Sequence, residues 1–141
     1  MSREYPDRPF VGVGVVVWRG DEVLLIERGK SPVSGNWSLP GGKQELGETV
    51  RETAHREIKE ETGLDIDIVA LLDVVDLVRH DDEGRVRFHY TLVDFTARWR
   101  AGEAVAGDDA SDVRWVRYED LGDYKLWDET VRVIELSATQ R

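Results

Sequence analysis

Apolar positions along the chain follow two rhythms. Phe10–Trp18 (FVGVGVVVW) is almost continuously apolar and β-branched, which predicts a central strand buried on both faces. Gly12 and Gly14 interrupt it, as close packing or the close approach of a ligand would require. Arg19-Gly20-Asp21 is a turn, and Glu22–Glu27 (EVLLIE) is a second strand, so the two form a hairpin. Residues 28–35 read as loop and Asn36–Leu39 as a short extended piece. Helical spacing then runs from near Glu48 to Thr62, with Val50, Ala54 and Ile58 as its apolar stripe. Asp65–Arg79 is strand-like with a break near Leu72. Residues 80–84 (HDDEG) turn the chain into a long strand, Arg85–Trp99, making a second hairpin over 79–90. A polar loop (100–111), a short strand (Val113–Val116) and a turn (Tyr118–Tyr124) lead to an amphipathic helix over Leu126–Ser137. Its predicted inward residues are Val131 and Ile134, with Leu126 and Trp127 beside them. Strands with two separated helices make an α/β sandwich around a mixed β-sheet. Residues 1–9 are polar with two prolines and read as a flexible arm, and residues 10–141 as one domain.

The densest chemical signal lies in Gly42–Leu64, GKQELGETVRETAHREIKEETGL. It follows a Leu39-Pro40-Gly41-Gly42 turn signal and stops at Gly63, which suits the residue after a helix end. Glu48, Thr49 and Glu52 fall early in the predicted helix, where acidic groups suit the positive end of its dipole. Glu57, Glu60 and Glu61 share one face at i, i+3, i+4, and Glu61 falls within the apolar stripe. A merely solvated face should lie opposite the core. These acids also crowd the helix C-terminus, where each costs roughly 0.3–1 kcal/mol. Such carboxylates want cations, and hard divalent ions with oxygen ligands, Mg²⁺ or Mn²⁺, fit best.

Composition narrows the chemistry. With 29 acidic and 19 basic residues the net charge is −10, which disfavours a nucleic-acid polymer or an anionic membrane surface as partner. There are no cysteines, so disulfides and thiolate chemistry are excluded. No apolar run is long enough for a signal peptide or a membrane helix, and a cytoplasmic protein is the default expectation. An acidic protein acting on an anionic substrate needs local positive charge. Arg28, at the end of the second strand, and Lys43, in the turn, are candidate phosphate contacts. Trp37, Phe88 and Tyr90 offer faces on which a base stacks, with core packing as the plainer role for each.

Read as G-x5-E-x7-R-E-U-x-E-E-x-G-U, with U an aliphatic residue, the stretch fills every specified position: Gly42, Glu48, Arg56, Glu57, Ile58, Glu60, Glu61, Gly63 and Leu64. In this it resembles the Nudix box, the signature of Nudix hydrolases, with LPGG ahead of it as is common there. The resemblance implies an α/β/α sandwich and metal-dependent hydrolysis of a nucleoside diphosphate linked to a group X, by attack of water on phosphorus. It assigns metal binding to Glu57, Glu60 and Glu61 with the Gly42 carbonyl, an orienting role to Arg56 and a supporting role to Glu48. Glu57 is one candidate base. Loop acids serve in some members, and here Asp108, Asp109 and Asp112 stand where a Glu is usual. The segment from Val11 to Thr49 looks closest to the compact ADP-ribose pyrophosphatase-like group. A sanitising enzyme for 8-oxo-dGTP or other nucleoside triphosphates, and a non-catalytic nucleotide sensor, are the alternatives. Many members are homodimers, and the expected partner is otherwise a small nucleotide.

Overall fold

The computed structural model of the protein describes residues 3–28, 36–107 and 109–141. The loop expected over 28–35 therefore lies, beyond Arg28, outside the described residues, as does Asp108. Seven strands form one mixed sheet: β1 (Phe10–Arg19), β2 (Glu22–Arg28), β3 (Trp37–Ser38), β4 (Gly41–Lys43), β5 (Asp65–His80), β6 (Val86–Ala101) and β7 (Ala110–Arg117). The main path runs β3-β2-β1-β6-β5, with β4 paired to β1 and β7 to β2. β1 and β6 are parallel, while β1–β2 and β5–β6 are antiparallel. The apolar alternation of β1 and β6 gives the sheet two buried faces. Helix α1 (Val50–Thr62) covers one, packing Ala54 and Ile58 over Val13, Val15, Leu24 and Phe95. Helix α2 (Asp128–Ala138) covers the other, packing Val133 and Ile134 over Val16, Trp18, Leu25 and Val75. The result is the α/β sandwich that the strand and helix rhythm predicts.

Several boundaries differ from the sequence reading for local reasons. β5 runs unbroken through Leu72, and the expected break is absorbed as register shifts around Ile68–Ala70 and Leu71–Asp73. The Gly41–Gly42 turn is also a strand, because β1 offers it an antiparallel edge. Residues 118–124 close into a 3-10 helix. In α2 the inward residues are Val133, Ile134 and Ser137, whereas Val131 is 39% exposed. The inward face also carries a polar contact that periodicity does not reveal. The Trp18 Nε1–H donates to Ser137 Oγ at 2.9 Å, so a serine sits on the buried face. In the N-terminal arm Tyr5 N–H donates to the Arg87 carbonyl at 2.8 Å and its hydroxyl to Asp81 at 2.9 Å. Among the described residues no helix is long and apolar enough to cross a membrane.

Candidate active site

Thr49 starts α1. Its hydroxyl accepts from Glu52 N–H at 3.1 Å and the Glu52 carboxylate accepts from Thr49 N–H at 2.8 Å, a complete capping box. The helix therefore begins at Val50, and Glu48 lies outside it rather than in its first turn. Gly63 ends it in the left-handed conformation, φ 76°, with its N–H on the Lys59 carbonyl. Between these stops the helical phase delivers Arg56, Glu57, Glu60 and Glu61 to one end of a cleft.

Arg56 organises that end. Its Nε and Nη2 donate to the two Glu48 oxygens at 2.6 and 2.9 Å, a bidentate pair. Nη1 donates to Glu57 at 2.8 Å and to Glu60 at 3.2 Å, and Nη2 also reaches the Lys43 carbonyl at 3.0 Å. One planar fork thus joins the loop, the glycine turn and two acids of the helix. Arg56 drives the Glu48 carboxyl down to about 2, helped by the N–H of Glu45 and the Thr53 hydroxyl. The guanidinium is itself held charged by Glu48 first and Glu57 after it.

Glu61 is almost fully buried, at 3% exposure. It accepts from Gly41 N–H at 2.7 Å and from Arg28 Nη1 at 2.9 Å. Arg28 also reaches the carbonyls of Leu39 and Gly41. So Arg28 stands at the expected site with its guanidinium engaged by Glu61. Glu57 lies directly over Gly42: a side chain there would overlap the Glu57 carboxyl, which explains the glycine. Burial raises the Glu57 pKa, and the charges of Glu61 and Glu60 add to the rise. Among the described residues no three acids form a preassembled cation cage. Instead, each of the three glutamates has a cation of the protein beside it. The donor set of Glu57, Glu60, Glu61 and the Gly42 carbonyl is all oxygen, with Glu57 raised in pKa by burial first and by its acidic neighbours after it. That chemistry fits a hard divalent cation.

The cleft encloses about 950 Å³ and continues away from these acids across β1. Arg28, Lys43, Gly42 and Asp109 line it with Arg56, Glu57, Glu60 and Glu61. Lys43 lies over the Phe10 ring, Nζ 4.6 Å from the centroid. Phe88 and Tyr90 line the cleft too, as aromatic faces should. Trp37 does not reach these walls. It packs edge-on to Tyr124 at 5.3 Å with Arg114 stacked on it at 4.8 Å. Asp112 is likewise turned away, onto Arg114 at 3.2 Å. The sequence reading overlooks Asp94, Trp127 and Glu129, which complete the far wall. Of these only Asp94 carries a local signal: a lone acid in the apolar run Leu92-Val93-Asp94-Phe95.

A family model, NUDIX domain, matches residues 8–136. The ADP-ribose pyrophosphatase of Methanocaldococcus jannaschii is 38% identical over 113 residues, which cover 80% of this chain and 64% of that protein. The 8-oxo-dGDP phosphatase of Homo sapiens is 45% identical over 65 residues, 46% of this chain and 20% of that protein. The crystal structure of a MutT NUDIX hydrolase from Burkholderia pseudomallei superimposes with a TM-score of 0.79 at 31% identity, covering 92% of this chain and 98% of that one. The chain thus spans less than two thirds of the length of these two sequence relatives.

Proposed function

From the premise that the chain belongs to the Nudix family, we propose that it hydrolyses a nucleoside diphosphate linked to a second group, with ADP-ribose as the representative substrate. The observation that carries this reading is the Arg56 fork. It holds Glu57 and Glu60 at the cleft beside Gly42, with acids supported from outside the helix by Glu48. A bound Mg²⁺ or Mn²⁺ would neutralise phosphate charge and lower the pKa of water. Glu57, Glu60, Glu61 and the Gly42 carbonyl would hold it. The protein's own groups do the rest. Lys43, from the glycine turn, and Arg28, which donates to Glu61, line the cleft where they would face the diphosphate. Water attacks one phosphorus, the bridging P–O bond breaks, and the bridging oxygen leaves on the second phosphate. ADP-ribose would give AMP and ribose 5-phosphate. The proton of the water passes to a cleft carboxylate, Glu57 or Asp109.

The similarity to the archaeal ADP-ribose pyrophosphatase over 80% of the chain favours the dinucleotide-like substrate. The likeness to the human 8-oxo-dGDP phosphatase over 65 residues supports a second reading, an oxidised or ordinary nucleotide as substrate. A panel of ADP-ribose, NADH, sugar nucleotides, dNTPs, 8-oxo-dGDP and 8-oxo-dGTP, run with Mg²⁺ and resolved by product mass, tests both. ADP-ribose should show the highest kcat/KM. A far higher value for the oxidised nucleotides would establish the second reading. Tight nucleotide binding with no cleavage would establish a sensor. Glu57→Gln against Asp109→Asn, compared by the loss of the acidic limb of the pH–rate profile, where the rate climbs as the base deprotonates, identifies the base.

A further inference from the structure

The far wall of the cleft holds an ionisable group that hydrolysis does not use. Asp94 lies on β6, is 6% exposed, and faces the cleft. Its position is built into the sheet. Asp94 is paired with Gly14 across the parallel β1–β6 ladder, and its carboxyl leans over that glycine. A side chain at Gly14 would stand 2.5 Å from Asp94 Oδ1, so the glycine makes room for the acid. Such an arrangement is costly for mere packing, since valine would fill the same place without burying charge.

Among the described residues no ion pair joins Asp94 to a cation, and Arg132 only partly offsets the rise in its pKa. Across the β5–β6 pairing its neighbour is Asp73, another acid. Arg132, on α2, is engaged by Asp73 at 2.9 Å and by Glu129 at 2.7 Å. Glu129, on the same helix, adds a further negative charge to the cleft wall. β1 contributes only the Gly14 backbone N–H. Burial pushes the Asp94 carboxyl up to about 6, with Asp73 adding to the rise. An acceptor-only group in this setting repels phosphate and attracts a neutral donor. The same cleft is lined by Leu92, Tyr90, Leu77 and Trp127, apolar and aromatic surfaces matched to the faces of a flat ring, with Arg79 stacked on the Trp127 ring at 5.2 Å. Phosphates belong at the opposite end, with Arg28 and Lys43.

Resting on the reading of the cleft as a nucleoside-diphosphate site, we propose that Asp94 is a specificity-determining residue that accepts a hydrogen bond from the ring-edge amine of the substrate's base. Adenine, with its exocyclic amine, satisfies it. A purine with no group at that position leaves the carboxylate buried and unpaired. One with a carbonyl there sets oxygen against oxygen.

The test is a base series in one scaffold: ribosyl diphosphates of adenosine, of unsubstituted purine riboside and of inosine. Wild-type protein should prefer the adenine compound in kcat/KM by about 10- to 100-fold, the worth of one hydrogen bond to a charged group. The difference should lie mainly in KM. Asp94→Val should collapse that preference to within about threefold. Asp94→Asn, which places an amide N–H at the site, should shift preference towards inosine, a change that structural damage does not produce. A uniform fall across all three bases in both variants would overturn the inference. Calorimetric binding of the three corresponding 5′-monophosphates separates it from the hydrolysis reading. If no diphosphate is cleaved but Asp94 variants still reorder monophosphate affinity, the base contact stands and the hydrolase reading falls. If cleavage proceeds and the base order is the same in every variant, only the Asp94 inference falls. If nothing is cleaved and no monophosphate binds, both fall.

Discussion

Glu48 and Asp94 are carboxyls on the same molecule with opposite fates. Glu48 stands in the loop before α1 and is gripped by both arms of Arg56, which lowers its pKa to about 2. Asp94 is more deeply buried, and burial with Asp73 beside it raises its pKa to about 6 against a partial offset from Arg132. The difference teaches that burial and pairing act in opposition, and that partners decide the outcome. At the acid end of the cleft, Arg56 and Arg28 hold charge that a metal and a diphosphate can use. At the far end, one acceptor is left for a neutral donor.

The contrast can be broken most severely at the acid end. Glu61→Gln or Glu60→Gln should lower kcat by about 10²- to 10³-fold, the scale of losing one preorganised electrostatic contact. Mg²⁺ should raise the melting temperature of the wild type, and the same variants should lose part of that rise. Full activity in excess chelator would remove the metal from the argument.

Arg56→Lys keeps the charge and loses the planar fork that spans Glu48, Glu57 and Glu60. Turnover should fall by about 10- to 100-fold, as for other outer contacts of a metal site. A melting temperature near wild type beside that loss would mark Arg56 as an orienting residue. Wild-type turnover would reduce it to surface pairing.

The far end is sharpened by pH. Asp94 has a folded pKa above its ordinary value of 3.8, so its ionisation opposes folding at neutral pH. Its contribution to stability is fully present below 3.8 and is lost as pH rises through about 6. Asp94→Asn should therefore stabilise the protein at pH 7, by up to about 3 kcal/mol from a shift worth roughly 1.4 kcal/mol per unit. The gain should shrink as pH falls below about 6, where the wild-type carboxyl is protonated. Denaturant titrations at pH 7.5 and 5 measure it, and a gain equal at both would refute the assignment. Glu48 runs the other way: its stabilising pair is present above 4.5 and fails as pH drops towards about 2.

The smallest expected effect is a control. Thr49→Ala breaks the capping box and should cost about 1 kcal/mol. Its activity loss should be far below that of Arg56→Lys. A loss as large would mean that helix position, not the Arg56 fork, governs the acids.

Much of this was legible in the residues alone. Near-neighbour physics determined it: the spacing of Glu57, Glu60 and Glu61, the cap at Thr49, the stop at Gly63 and the β-branched run at Phe10–Trp18 are all local, and local spacing fixes which side chains share a face. The α/β sandwich followed from those rhythms. What depended on residues far apart in the chain was decided only by the tertiary structure. Arg28 meets Glu61 across 33 residues, because β2 ends beside the glycine turn. Trp18 meets Ser137 across 119 residues on the buried face of α2, while Val131 stands 39% exposed against the apolar pattern. Asp94, which the sequence reading overlooks, gains its place only from the β1–β6 pairing that sets it over Gly14. Trp37, an attractive base platform in the sequence, was claimed instead by Tyr124 and Arg114. A side chain's type is local information, but its partner is chosen by sheet order and helix phase, and these are set by the burial of the whole core.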